Sequence, residues 1–255
     1  MKLHFREAGD PRGLPVVLLH AFPMSSAMWE PQLEALKHCR VILPDFRGFG
    51  ATPFSSPWFI EHAVDDLFET LTSLSIEKAV LVGLSMGGYV ALRAVEKNPS
   101  RVKALVLCDT RAEADANENK IKRAGAVDFV RSRGVAAFLD PFLADALAPK
   151  TKAEQPKVVE FLKGVALKAS ADAVMAALAA LAARGDMTSA LPAIKVPTAV
   201  LVGSQDKITP LPLAETMRAR IPGAELHIIP DAGHFSNAEN PAAFNERLVS
   251  FLKRL

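Results

Sequence analysis

The chain is poor in cysteine. Its 255 residues hold two, Cys39 and Cys108, too few for a disulfide framework. Both lie in or beside apolar runs, the setting of small buried hydrophobes in a reducing compartment. Charge of one sign is scarce as well. Lys plus Arg total 30 against 28 for Asp plus Glu, a net charge of +2, with no electrostatic footprint for DNA or RNA. Long hydrophobic runs are missing. The most apolar segment, Ala173 to Ala183, is Ala-rich and far shorter than the roughly 18 residues of a membrane span. The first residues, Met1-Lys2-Leu3-His4-Phe5-Arg6-Glu7, carry charges where an export signal needs apolar side chains. No His, Cys, Asp or Glu cluster has the spacing of metal ligands. The expectation is a cytoplasmic protein with no metal, cofactor, nucleic-acid partner or membrane anchor.

What is present is a core. Half of the residues are hydrophobic and 23% are charged, the balance of a folded globular chain. Short uninterrupted apolar runs occur at Val16 to Leu19, Val41 to Leu43, Ala79 to Val82, Val102 to Leu107, Thr198 to Val202 and Leu226 to Ile229. Strands buried on both faces read this way, and they belong to parallel sheets covered by helices. Amphipathic helices are predicted over Ile60 to Leu74, Met86 to Lys97, Leu211 to Ile221 and Pro241 to Leu255. Strand and helix in alternation give the fold class, an α/β protein with a doubly wound, mostly parallel sheet.

The alternation stops between about Arg111 and Leu191. That stretch has helical patterns at Glu118 to Arg131, Val135 to Leu143, Gln155 to Leu167 and Ala171 to Ala182, and no strand-like run. It reads as a helical cap, residues 111–189, inserted between two strands of a core made of residues 1–110 and 190–255. Such an insert sits at the carboxyl edge of the strands, where open α/β sheets bind ligands.

Chemistry concentrates at that edge. Val80-Leu81-Val82-Gly83-Leu84-Ser85-Met86-Gly87-Gly88 places Gly-x-Ser-x-Gly between a predicted strand and a predicted helix, the context the motif requires. Gly83 and Gly87 leave room for a tight turn, and Ser85 stands at the positive N-terminal end of the helix. A serine hydroxyl needs a base. His234, in Asp231-Ala232-Gly233-His234-Phe235, follows the last predicted strand. The base needs a carboxylate to fix its tautomer, and Asp206 follows the strand before. Oxyanion donors are expected from the backbone N–H groups of Met86, directly after the serine, and Phe22, in the loop Leu19-His20-Ala21-Phe22-Pro23-Met24.

Over almost its whole length the sequence resembles the α/β-hydrolase superfamily, in its small capped serine esterase and 3-oxoadipate enol-lactonase branch. The resemblance rests on His20-Ala21-Phe22-Pro23, Pro44-Asp45-Phe46-Arg47-Gly48-Phe49-Gly50, Gly83-Leu84-Ser85-Met86-Gly87-Gly88, Gly203-Ser204-Gln205-Asp206 and Gly233-His234. One departure is Ala21, where the family usually carries Gly. The resemblance offers Asp109, at the end of the preceding strand, as an alternative acid. It also implies a local ion pair between Asp45 and Arg47. His20 is expected to hold the oxyanion loop through backbone hydrogen bonds. Lys120, Lys122, Arg123, Arg131 and Arg133 read as a solvated face of the cap, and one of them turned inward would recognise a carboxylate.

The resemblance implies a serine hydrolase of small carboxylic esters, working through an acyl-enzyme, as a monomer or homodimer. The other readings are a 3-oxoadipate enol-lactonase or another lactonase, a carbon–carbon bond hydrolase, a perhydrolase, and a slow-turnover small-molecule receptor. Phe129, Phe138, Phe142 and Phe161 in an Ala-rich cap suggest an apolar site of modest size.

Overall fold

The computed structural model describes residues 1–56 and 58–255. Its centre is a seven-stranded sheet in the order β1-β3-β2-β4-β5-β6-β7. Strands β2 (Pro15–Leu19), β3 (Arg40–Pro44), β4 (Ala79–Leu84), β5 (Val102–Cys108), β6 (Thr198–Gly203) and β7 (Glu225–Ile229) run parallel. β1 (Phe5–Gly9) lies antiparallel to β3 at the edge. The six parallel strands contain the six apolar runs of the sequence. Their side chains alternate between two cores, Val17 and Leu19 on one face, Val16 and Leu18 on the other, as the period of two requires.

Helices cover both faces. α1 (Ile60–Ser73), α2 (Met86–Lys97) and α7 (Leu211–Arg220) supply Val64, Leu67, Val90, Leu92 and Met217 to the first core. α9 (Pro241–Leu252) supplies Phe244, Leu248 and Phe251 to the second, beside Trp29. α7 is less amphipathic than its sequence suggested, since it buries only Ala214 and Met217.

Between β5 and β6 the described elements are helical. α3 (Asn117–Ala146) is interrupted at Gly134, whose backbone is non-helical with φ 80° and ψ 169°, so it consists of two helices meeting at a kink, as the sequence predicts. α4 (Pro149–Glu154), α5 (Pro156–Ala166) and α6 (Ala171–Ala183) follow, and α3 packs along α6. The segments flanking this helical stretch are fastened together. The Met187 N–H donates to the Ala112 carbonyl over 2.8 Å, the Ala114 N–H to Asp186 Oδ2 over 3.0 Å, and Arg184 Nη2 to the Glu113 carbonyl over 3.0 Å. Among the described residues no single helix is long and apolar enough to cross a membrane.

Candidate active site

Three strand ends converge. Ser85 caps α2 directly after β4, with φ 53° and ψ −111°, a backbone conformation that a residue with a Cβ adopts only under strain. The neighbouring glycines permit it. A Cβ on Gly83 would lie 2.3 Å from the Gly87 carbonyl oxygen, and one on Gly87 would lie 2.2 Å from the Leu19 carbonyl oxygen. Two hydrogen bonds hold the turn, from the Ser85 N–H to the Cys108 carbonyl at 2.9 Å and from Thr110 Oγ1 to the Ser85 carbonyl at 2.8 Å.

His234 lies on the loop after β7, with Nε2 2.9 Å from Ser85 Oγ and Nδ1 2.8 Å from Asp206 Oδ2. Asp206 follows β6. Its Oδ1 accepts from the N–H groups of Ile208 and Thr209 at 2.8 and 2.9 Å, and its Oδ2 accepts from Thr209 Oγ1 at 2.6 Å. Burial by itself would raise the Asp206 carboxyl. The charge and hydrogen bond of His234, with the Thr209 donors, outweigh burial and hold it below its ordinary value. An ionised carboxylate only accepts, so the Nδ1 proton of His234 points at Asp206. Nε2 is then bare and faces the serine hydroxyl. The row can take a proton from Ser85 Oγ onto Nε2 and hold the resulting positive charge beside Asp206.

His20 keeps the neighbouring loop in place. The Phe46 N–H donates to its Nε2 over 3.0 Å, so the ring proton sits on Nδ1 and donates to the Ala21 carbonyl over 2.9 Å. Burial lowers its readiness to protonate, against the pull of Asp45. Phe22 follows in that loop. Its ring meets Phe138 and Phe142 of α3 edge-on, at centroid distances of 6.0 and 5.9 Å. Phe142 reaches on to Phe235, the neighbour of His234, at 6.3 Å. Phe129 is 42% exposed, and Phe161 packs on the second core. Met86 opens α2, and an N–H in the first turn of a helix has no partner within the helix.

Four residues depart from the sequence reading. Asp109 makes no contact with His234; its carboxylate accepts from the Gly203 N–H at 2.7 Å and meets Ser236. Arg47 donates from Nε and Nη2 to Asp66 of α1, at 2.5 and 2.8 Å, in place of Asp45. Asp45 instead accepts from the N–H groups of Ser26 and Ala51. Arg123 is not on the solvated face, for it joins Arg111 and Arg184 around the buried Asp115. Lys120, Lys122, Arg131 and Arg133 are exposed.

The loop bearing His234 is also tied to the helical stretch. The His234 N–H donates to the Ala146 carbonyl over 2.8 Å. Glu239 of the short helix α8 (Ser236–Glu239) accepts from the Ala148 N–H and Thr151 Oγ1 with Oε2, and from the Phe235 N–H with Oε1. The contacts of Ala146, Ala148 and Thr151 with this loop had no signal in the sequence, because they join segments far apart in the chain. Among the described residues no cluster of three or more His, Cys, Asp or Glu could hold a metal ion.

Residues 15–241 match the family model of the alpha/beta hydrolase fold. The chain belongs to this family. The hydrolase is 29% identical to 3-oxoadipate enol-lactonase 1 of Acinetobacter baylyi, over 98% of its own length and 92% of that protein. It superposes on a thermophilic esterase from Thermogutta terrifontis, solved with malate bound, with a TM-score of 0.94 at 38% identity, covering 99% of this chain and 93% of that one. The enol-lactonase from Burkholderia xenovorans gives a TM-score of 0.91 at 29% identity, covering 98% and 96%.

Proposed function

We propose that the hydrolase cleaves small carboxylic esters, with Ser85 as nucleophile, His234 as base and Asp206 as its carboxylate partner. The observation that carries this reading is the unbroken row Ser85 Oγ–His234 Nε2 and His234 Nδ1–Asp206 Oδ2, at 2.9 and 2.8 Å. Ser85 Oγ adds to the ester carbonyl while His234 takes its proton. The N–H groups of Phe22 and Met86 stabilise the oxyanion. His234 then protonates the departing alcohol, and water activated by the same ring releases the acid from Ser85.

The family resemblance and the relatives named above support both an ester and a lactone substrate. The cations of the helical stretch favour the neutral ester. Lys120, Lys122, Arg131 and Arg133 are exposed, and Arg111, Arg123 and Arg184 are engaged with Asp115. A dianionic lactone would call for a cation aimed at the site. We read the helical stretch as a cap over Ser85, its Phe138 and Phe142 forming an apolar wall beside Phe22.

Hydrolysis of p-nitrophenyl acetate, butyrate, octanoate and palmitate tests the reading. Turnover that favours the short esters and disappears in a folded Ser85→Ala variant is expected. Asp206→Asn should lower kcat by roughly 10⁴. Undiminished turnover in Ser85→Ala would overturn the assignment.

A further inference from the structure

Asp109 is a fully buried carboxyl group that the proposed reaction does not use. It follows the last residue of β5 with φ 45°. Its N–H donates to the Leu201 carbonyl over 2.9 Å. Its side chain points across the strand ends. Oδ1 accepts from the Gly203 N–H at 2.7 Å, and Oδ2 contacts both Ser236 Oγ and the Ser236 N–H. Gly203 ends β6 and accepts from the Asp206 N–H at 3.1 Å. Ser236 lies two residues beyond His234. One carboxyl group therefore grips two turns, 94 and 127 residues away in the chain.

We infer that Asp109 is a positioning residue, which fixes the separation of Asp206 and His234 by fastening the turn that presents each. The inference rests on the proposed roles of those two residues.

The charges around the site agree with it. Asp206, from the turn after β6, and Glu239, from α8, both face Asp109 with negative charge. Burial and the Asp206 charge push the Asp109 carboxyl well up. The adjacent Cys108 thiol is pushed well up, chiefly by burial. Asp206, with its backbone and Thr209 donors, remains the ionised member. Asp109 then acts as a strut between the two turns, and the carboxylate facing His234 is Asp206.

A strut of this shape can be replaced by its amide. Asp109→Asn keeps an oxygen for the Gly203 N–H and offers N–H groups to Ser236 Oγ. Asp109→Ala removes both arms. Two readouts separate positioning from simple stability. One is the proton resonance of His234 Nδ1, which reports its bond to Asp206 and needs no substrate. The other is kcat, KM and the acid limb of kcat/KM for p-nitrophenyl butyrate, counting only the turnover abolished by Ser85→Ala. In Asp109→Ala the Nδ1 proton should move upfield and exchange faster. Its kcat should fall about 10- to 100-fold with KM within about twofold, and the acid limb should move to lower pH. Asp109→Asn should restore all of these. If Asp109→Ala does not fold, Ser236→Ala removes one arm and should shift the same readouts in the same direction.

A folded Asp109→Ala or Ser236→Ala with wild-type Nδ1 resonance and kcat would overturn the inference, whatever its melting temperature. Asp109→Asn falling as far as Asp206→Asn would overturn it too, by making Asp109 the charged partner. Failure of the proposed reaction looks different. Turnover would then survive Ser85→Ala, while the Nδ1 resonance would still respond to Asp109→Ala.

Discussion

Asp115 Oδ1 accepts from Arg184 Nη2 over 2.9 Å, joining the segment that leads into α3 to the segment that leaves α6. Arg111 and Arg123 bind the same carboxylate, and the Arg184 guanidinium lies 4.3 Å over the Tyr89 ring. One carboxylate thus fastens both ends of the helical stretch to the sheet-covering helix α2.

Burial of Asp115 would raise its carboxyl, but the bonds and charges of Arg123 and Arg184 hold it down at about 2. Its folded-state value lies below the unfolded one, so its contribution is complete above about pH 4. The contribution is lost as pH falls from about 4 to 2. Urea unfolding of wild type and Asp115→Asn should show a pH-dependent difference on the order of 1–2 kcal/mol, flat from pH 7 to 5 and vanishing toward pH 2. A difference that stays constant down to pH 2 would contradict the assignment.

Thr209 donates to Asp206 Oδ2 over 2.6 Å and is itself buried. Thr209→Val keeps its shape and removes the donor. A hydrogen bond to a charged group contributes about 1.5–3 kcal/mol, and a stability loss of that size is expected near neutral pH. The loss should shrink in acid, where Asp206 becomes protonated. Because the bond from His234 to Asp206 survives, kcat should fall less than about tenfold. Unchanged stability in a denaturant titration would show that the hydroxyl is not bonded to the carboxylate.

Phe138 and Phe142 stack 5.6 Å apart and close on Phe22. If they limit the acyl pocket, Phe142→Ala should raise kcat/KM for the octanoate ester relative to the butyrate. One methylene in an apolar pocket is worth about 10-fold or more, so a change of about that size is the expected readout. An unaltered chain-length profile in both Phe138→Ala and Phe142→Ala would place the acyl chain elsewhere.

How much of this was legible in the sequence follows from what each part depends on. β2, β4, β5 and β6 are buried on both faces, so their composition announced them. β1 is an edge strand reading Phe5-Arg6-Glu7-Ala8-Gly9, with Arg6 and Glu7 exposed. Charges on an edge blunt unwanted pairing, and they also erase the apolar signal. The turns that bring Ser85, Asp206 and His234 together were legible because each lies beyond a strand end and carries a local motif. The partners of Asp109, Asp115 and Glu239 were not. Each is defined by partners from distant segments, and a lone carboxylate in a sequence does not say which backbone N–H groups it will meet.

The glycines separate in the same way. A Cβ on Gly125 of α3 or Gly164 of α5 meets nothing within 4 Å. Gly125→Ala and Gly164→Ala should each stabilise by about 0.5–1 kcal/mol through helix propensity alone, and turnover should be unchanged. Gly87→Ala puts a methyl 2.2 Å from the Leu19 carbonyl oxygen, and backbone cannot turn aside as the end of a flexible side chain can. It should lose both stability and activity. Thermal melts of the three variants together check the contrast.

The bond from His234 to Ala146 bears on how such a chain can be recombined. A Cβ on Gly233 would stand 2.4 Å from the Ala146 carbonyl oxygen, so the two backbones touch. A transplant of helices that ends before Ala146 leaves this contact alone. One that runs through residues 146–151 replaces the carbonyl that holds the histidine loop and the hydroxyl that meets Glu239. Residues 146–151 must therefore be inherited together with the loop that carries His234.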